Sequence, residues 1–225
     1  MIVGIDTSTP FLKLGLFEKE VISEMVLTVR ESHTKHLLNS LNFLFSSNSI
    51  SGEQIEGFGL VIGPGSFTGL RIGISTVIGI SAAWKTPIYP VISGDIAWRS
   101  SLNEIGTKHF FYLLDGKRKE LFFLHYIKKG DIFTLASEIE ALKYDEVYSE
   151  ISNKHPGGAT IGGEGVEILR KEGYSLDNKY IKIIKKPYNG FTGGDIARFT
   201  LEASSGPVKN PEPLYVRDAD IRSGN

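Results

Sequence analysis

The chain contains no cysteine. That excludes disulfides, thiolate zinc sites, iron–sulfur clusters and cysteine nucleophiles together, and it predicts a reducing compartment. Net charge of either sign is missing too: 25 Lys and Arg against 26 Asp and Glu leave a formal charge of −1. A near-neutral chain does not carry the broad positive field of a stand-alone nucleic-acid binder. The uncharged stretch from Ile72 to Trp84 is interrupted by Gly, Ser and Thr; at about 13 residues it falls short of a bilayer span and predicts a buried helix. The opening Met-Ile-Val-Gly-Ile-Asp has no basic segment and reaches a carboxylate at Asp6. No secretory signal is expected there, and the expected location is cytoplasmic, with no membrane partner. No Gly-x-Ser-x-Gly elbow occurs, and Ser66 has no basic partner nearby in sequence.

What is present is an alternation of strand and helix patterns over 225 residues, enough for one large domain or two small ones. Ile2 to Ile5, Leu12 to Phe17 and Val21 to Val29 are β-rich runs separated by polar breaks, which predicts an antiparallel meander. Thr34 to Phe45 is helical, with Leu37, Leu38, Leu41, Leu44 and Phe45 on one stripe. Gly57 to Ile62 is a buried strand, followed by a helix from Phe67 to Lys85, a strand from Pro87 to Ile92 and a helix from Asp95 to Asn103. The pattern then restarts: strands at Phe110 to Leu114 and Leu121 to Ile127, a third at Ala159 to Ile161, a helix from Gly165 to Lys171, a strand at Ile181 to Ile184 and a helix from Gly194 to Ala203. The tail from Gly206 to Arg217 is Pro-rich and predicted to be extended. Two similar α/β halves fit this string, residues 1–103 and residues 104–225 with the extended tail, with the seam near Ser101 to Lys108.

Several segments have the makings of a site. Gly63-Pro64-Gly65-Ser66-Phe67-Thr68-Gly69-Leu70-Arg71-Ile72-Gly73 is a glycine-rich turn from strand into helix. It is not a P-loop, and for the dinucleotide fingerprint the step from Gly65 to Gly69 is one residue too long. Either its amides meet a phosphate, or the glycines shape a tight turn and let the helix pack closely. Asp6-Thr7-Ser8 at the end of the first strand and Asp115-Gly116 in the second half are comparable strand-end carboxylates, suited to a hydrated Mg²⁺ and phosphates. Gly162 and Gly163, before a helix, offer bare backbone to a flat base. The ordinary alternative is that each of these is only a turn.

The two N-terminal helices carry more apolar surface than one sheet can cover. On the second, Gly69, Gly73, Thr76, Val77 and Ile80 share one side while Leu70, Ile74 and Ile78 share another. On the first, His36, Ser40 and Phe43 stand opposite the Leu stripe. These faces predict a protein–protein patch, unless loops of the same chain cover them. His33 and His36 are three apart with no third ligand at a supporting spacing, so no metal site is expected there. His109, His125 and His155 are isolated in sequence, and Lys117-Arg118-Lys119 is a basic cluster.

Ile5-Asp6-Thr7-Ser8, Glu31-Ser32-His33-Thr34-Lys35-His36-Leu37-Leu38, the long glycine motif and Pro213-Leu214-Tyr215-Val216-Arg217 together resemble the TsaB family, also called YeaZ. The resemblance implies an actin-like ATPase superfold, two ribonuclease-H-like halves of mixed sheet plus helices. It implies no catalytic residues in this chain but a supporting role in making threonylcarbamoyladenosine beside the tRNA anticodon. The implied partners are the TsaD transferase in a heterodimer and the TsaE ATPase in a ternary complex. The implied resting form is a homodimer, with tRNA reached only through the complex and ATP and Mg²⁺ belonging to the assembly. By position, the dimer patch comprises His33, His36, Ser40 and Phe43 on the first helix, and Gly69, Arg71, Gly73, Thr76, Val77 and Ile80 on the second. Asp6, Thr7, Ser8, Asp115, Gly162 and Gly163 are the vestige of a nucleotide site. Where relatives often read Asp-Ala-Arg and then Tyr, this chain has Asp115-Gly116-Lys117 and Phe122. The alternative from the enzyme class is an ATP-dependent phosphotransferase or ATPase of the same superfold.

Overall fold

The computed structural model describes residues 1–153, 155, 158–176, 179–202 and 206–216. Ala203 and Arg217, the expected ends of the last helix and of the closing motif, lie outside the described residues. The chain opens as the expected meander, β1 (Ile2–Asp6), β2 (Phe11–Phe17) and β3 (Val21–Thr28), paired antiparallel. Helix α1 (Leu37–Ser47) leads to β4 (Gly57–Gly63), and α2 (Phe67–Trp84) leads to β5 (Ile88–Ile92). Both strands run parallel to β1, giving the order β3-β2-β1-β4-β5. Central β1 is buried along its whole length, as a strand covered on both faces must be.

After α3 (Ser93–Ser100) the topology repeats. Strands β6 (His109–Lys117), β7 (Glu120–Lys129) and β8 (Ile132–Leu135) form a second meander. A short β9 (Glu140–Lys143) shares the β7 edge with β8. Helix α4 (Tyr144–Asn153) leads to β10 (Ala159–Gly162), and α5 (Gly165–Lys171) leads to β11 (Ile181–Ile183). The order β11-β10-β6-β7-β8, with β10 and β11 parallel to β6, reproduces that of the first sheet. A duplication with no sequence repeat is therefore present as topology.

Three apolar cores alternate with the sheets. Leu37, Leu41 and Leu44 of α1 and Leu70, Ile74 and Val77 of α2 pack on one face of the first sheet, against Ile5, Leu14 and Leu60. A middle core joins Val61 and Val91 of the first sheet to Phe110, Tyr112 and Tyr126 of the second through α3 and the last helix, α6 (Gly193–Phe199). The outer core puts Val147 and Ile151 of α4 and Val166 and Leu169 of α5 against Phe111, Leu113 and Phe123.

The structure corrects the sequence expectation at four places. Helix α6, assigned by order to the second half, packs on β1, β2 and β3 of the first sheet. Its backbone lies directly on the strand: a Cβ on Gly15 would stand 2.1 Å from the Gly193 carbonyl carbon, so only glycine at both positions permits the approach. The first helix begins later than predicted, because His33–Lys35 form a 3₁₀ turn capped by the Ser32 hydroxyl; Leu38, assigned to its inner stripe, is 57% exposed. Strands β8 and β9 and helix α4 were not foreseen; the strands are four residues each and too short to show a period. Helix α2 is not buried all round: only Gly69, Leu70, Gly73, Ile74 and Val77 are buried among its 18 residues. It is apolar and long enough to cross a membrane by composition, and here it lies on β4 and β5.

Candidate functional site: a cleft between the halves

Strands β1 and β6, first in their respective sheets, both deliver their C-terminal ends to one cleft of about 600 Å³. Its walls are Ser8 and Thr9 of the β1–β2 turn, the glycine motif from Gly65 to Gly69, Leu114 to Lys117 at the β6–β7 turn, Glu164 ahead of α5, and Leu214 to Val216 of the tail. Ser8 and Asp115, two of the expected site residues, line it. Asp6 and Thr7 lie behind the wall, wholly buried.

Asp6 is cancelled from within. The antiparallel register sets Asp6 opposite Lys13 of β2, and the Lys13 ammonium lies 3.1 Å from the carboxylate, both side chains fully buried. Asp6 Oδ1 accepts the Ser8 amide at 2.7 Å, and the ammonium sits 3.6 Å from the centre of the Phe191 ring. Burial pulls the Lys13 pKa below its ordinary value, and the Asp6 charge opposes that shift. A lysine in the apolar run Leu12-Lys13-Leu14 was the sequence signal for this pair.

The β1–β2 turn is fastened on three sides. Thr7 Oγ1 donates to the Gly69 carbonyl at 2.8 Å, the Ser66 amide donates to Ser8 O at 2.7 Å, and His33 Nε2 contacts Thr9 O at 2.9 Å. Gly73 lets α2 ride over this turn, since a Cβ there would stand 2.2 Å from Thr7 Oγ1. Of the two readings of the glycine motif, close helix packing accounts for Gly69 and Gly73. The Ser66 hydroxyl caps the helix, accepting Gly69 N–H at 3.2 Å.

Across the cleft, Asp115 pairs with the Lys117 ammonium, and its own amide donates to Glu164 Oε1 at 3.2 Å. Gly162 is buried at the end of β10. Gly163, at φ +92°, is pressed against the Leu113 carbonyl, so the pair packs on β6 and does not line the cleft. The tail closes one side: Leu214 N–H donates to Ile62 O at 2.8 Å, Tyr215 stacks on Phe67 at 4.9 Å, and Arg71 Nε donates to the Tyr215 hydroxyl at 2.9 Å while its guanidinium lies 3.9 Å over Phe67. Glu164, Lys13 and Tyr215 were not singled out from sequence as site residues, because each acts through a tertiary contact.

The expected interface residues divide. Val77 is 0% exposed, and Gly69, Gly73, His33 and Ser40 are buried too, so these five are spent inside the chain's own packing. His36, Phe43 and Arg71 are exposed, and Thr76 and Ile80 are half-buried.

Two mixed sheets of one topology facing each other across a cleft define an actin-like ATPase fold. Solved structures agree. A Pseudomonas aeruginosa protein described as similar to peptidase YeaZ superposes with a TM-score of 0.77 at 19% identity, over 96% of this chain and 99% of that one. YeaZ from the same organism gives 0.75 at 19% identity over 95% and 98%. A Listeria monocytogenes protein described as a putative N-acetylmannosamine kinase shares the fold at 0.52 and 12% identity, over 89% of this chain and 98% of that one.

The family described as "TsaD: tRNA N6-adenosine threonylcarbamoyltransferase" matches residues 20–190. The tRNA threonylcarbamoyladenosine biosynthesis protein TsaB of Escherichia coli K12 is 24% identical over 73% of this chain and 71% of its own length. The TsaB of Buchnera aphidicola from Schizaphis graminum is 20% identical over 80% and 87%. The chain belongs to the TsaD family and, within it, to the TsaB (YeaZ) group.

Proposed function

We propose that this chain is the non-catalytic subunit that binds and supports a TsaD transferase while a threonylcarbamoyl group is moved to the tRNA adenosine beside the anticodon. Family membership supports the pathway; the sealed Asp6–Lys13 pair supports the division of labour. A carboxylate neutralised by the chain's own lysine, 0% exposed behind the cleft wall, is not offered to a metal–nucleotide complex. The phosphotransferase alternative, which needs Asp6 at work, is not favoured. Residues 1–103 and 104–225 form the two halves of the proposed subunit, with α6 returned to the first. TsaE joins as the third component, tRNA is met only through the assembly, and the free chain pairs with itself through the same face.

That face is the outer side of α1 and α2. Phe43 is 59% and Leu38 57% exposed, and Trp84 is 39% exposed, large apolar groups that a monomer does not need at its surface. On or beside the same two helices His36 and Arg71 are exposed, and Thr76 and Ile80 are half-buried. Gly79 gives the cleanest probe, because it is exposed and an added Cβ meets nothing within 4 Å. Gly79→Arg removes a helix-interior glycine, which favours the fold by up to about 1 kcal/mol, while placing a charge and bulk at the face.

Size-exclusion chromatography with light scattering, on the chain alone and mixed with TsaD, is expected to give a one-to-one complex. Gly79→Arg and Phe43→Glu abolish it with native circular dichroism. A complex that survives both variants overturns the face, and no complex with the unaltered chain overturns the partner. Val77→Glu is not a test, because a charge at that buried position unfolds the monomer first.

A further inference from the structure

His109, His125 and His155, isolated in sequence, meet in the fold. His109 opens β6, His125 is on the neighbouring β7, and His155 is in the loop between α4 and β10. One ring nitrogen from each lies within 4.8 Å of the others. His109 Nδ1 and His125 Nε2 are 3.0 Å apart, and the His155 ring centre is 4.3 Å from that of His109 and 5.0 Å from that of His125. Phe111 stacks on His125 at 4.4 Å and holds its plane. We propose that these three imidazoles form a binding site for a divalent transition metal, zinc above all.

Three neutral imidazoles are a borderline-soft nitrogen set that suits zinc, nickel, cobalt or copper and not magnesium or calcium. Zn–N bonds of about 2.0–2.1 Å in a tetrahedron put neighbouring nitrogens about 3.3 Å apart. The His109–His125 pair, at 3.0 Å, is about 0.3 Å short of that spacing, and the His155 nitrogen, within 4.8 Å of both, needs a shift of at most about 1.5 Å to meet it. The three half-buried side chains leave the fourth position to water. Burial and the neighbouring imidazoles lower the His125 pKa to about 4, so the ring is uncharged at neutral pH and suited to ligation. In the metal-free chain His109 Nδ1 and His125 Nε2 share one hydrogen; coordination through both atoms needs that hydrogen on the far nitrogen of its ring, a tautomer change with no net proton loss. The Glu150 charge acts on His125 and adds attraction for a cation, while the Lys108 charge, acting on His109, opposes it.

The site is far from the cleft. His109 begins β6 and Asp115 approaches its other end, about 20 Å away at 3.3 Å per residue. A metal there pins the β6–β7 hairpin to the loop after α4 and is independent of the proposed partner face.

The test uses the untagged full chain, freed of metal by chelation, titrated with cobalt(II) and with zinc. One equivalent of cobalt with the visible absorption of a four-coordinate nitrogen site is expected, displaced by zinc. Zinc at about 100 times its dissociation constant should raise Tm by roughly 5–10 °C. Loss of a second-shell partner costs about 10–100-fold in metal affinity, so loss of a direct ligand should cost at least about 100-fold. His125→Gln and the loop variant His155→Gln should each do this, the second deciding if the first misfolds. His33→Gln/His36→Gln should leave binding unchanged. Absent saturable binding, or binding moved by the His33 and His36 changes and not by His155→Gln, overturns the site.

Discussion

Lys13→Met isolates the buried pair behind the cleft. Methionine keeps most of the lysine stem, so the volume beside Phe191 stays filled while the ammonium is lost. Asp6 then keeps the Ser8 amide at 2.7 Å but loses the cation at 3.1 Å, in a place no solvent reaches. Removing one partner of such a pair costs about 3–5 kcal/mol, chiefly because the remaining charge is stranded. The lost ammonium–Phe191 contact is worth a further ~1 kcal/mol. Against a total stability of about 5–15 kcal/mol this is severe. For a chain of this size the first loss alone lowers Tm by roughly 6–20 °C.

Asp6→Asn makes the converse cut, keeping an acceptor for Ser8 N–H and leaving the ammonium alone. In the double variant neither charge remains, so it should be more stable than the two separate losses add up to, by about 2–3 kcal/mol. Urea unfolding followed by circular dichroism on all four proteins measures the coupling. A Lys13→Met protein within 2 °C of the parent at about the precision of a melt, or strictly additive losses, would refute the claim that the pair is sealed and mutually dependent.

Two further predictions concern the β6–β7 turn and the histidines. Lys117, Arg118 and Lys119 have φ of 62°, 52° and 62°, and Lys117 pairs with Glu120 across the β6–β7 turn. Arg118 and Lys119 thus occupy the two left-handed positions that favour Asn-Gly; Arg118→Asn/Lys119→Gly should stabilise by about 1–2 kcal/mol, read as a rise in urea midpoint, and an unchanged or lower midpoint contradicts the strain. Acid should destabilise the metal-free chain through its histidines. Burial holds His33 and His109 below the ordinary value and His125 at about 4, so the unfolded chain takes up protons first. Stability falls as pH drops from about 6.5 toward 4, by up to ~3 kcal/mol from His125. Melts at pH 7.5 and 5 in chelator should show the drop, and His125→Gln should flatten it; equal melting temperatures would contradict the assignment.

Phe43 and Val77 show how far periodicity reaches. Both lie on helices with surplus apolar surface, and the 3.6-residue period identifies that surplus. It does not say which side the sheet takes. The β1–β2 turn decides: Thr7 reaches Gly69 and Gly73, so that stripe of α2 and Val77 beyond it turn inward, leaving Thr76, Gly79 and Ile80 toward solvent. The triplet of histidines was illegible for a related reason. Sixteen residues separate His109 from His125, and only hairpin register and a loop 30 residues further on bring the three rings together.

The sequence by itself determined most of the element types, the first meander, the glycine-rich turn into α2 and the family, because these rest on local conformational preference and on contiguous motifs. Tertiary structure alone decided that α6 belongs to the first sheet, that Asp6 is neutralised by Lys13, and which helix faces remain open. Those outcomes depend on backbones meeting at glycine, on charges paired across strands and on which apolar face finds cover first, and none of these is a property of neighbours in the chain.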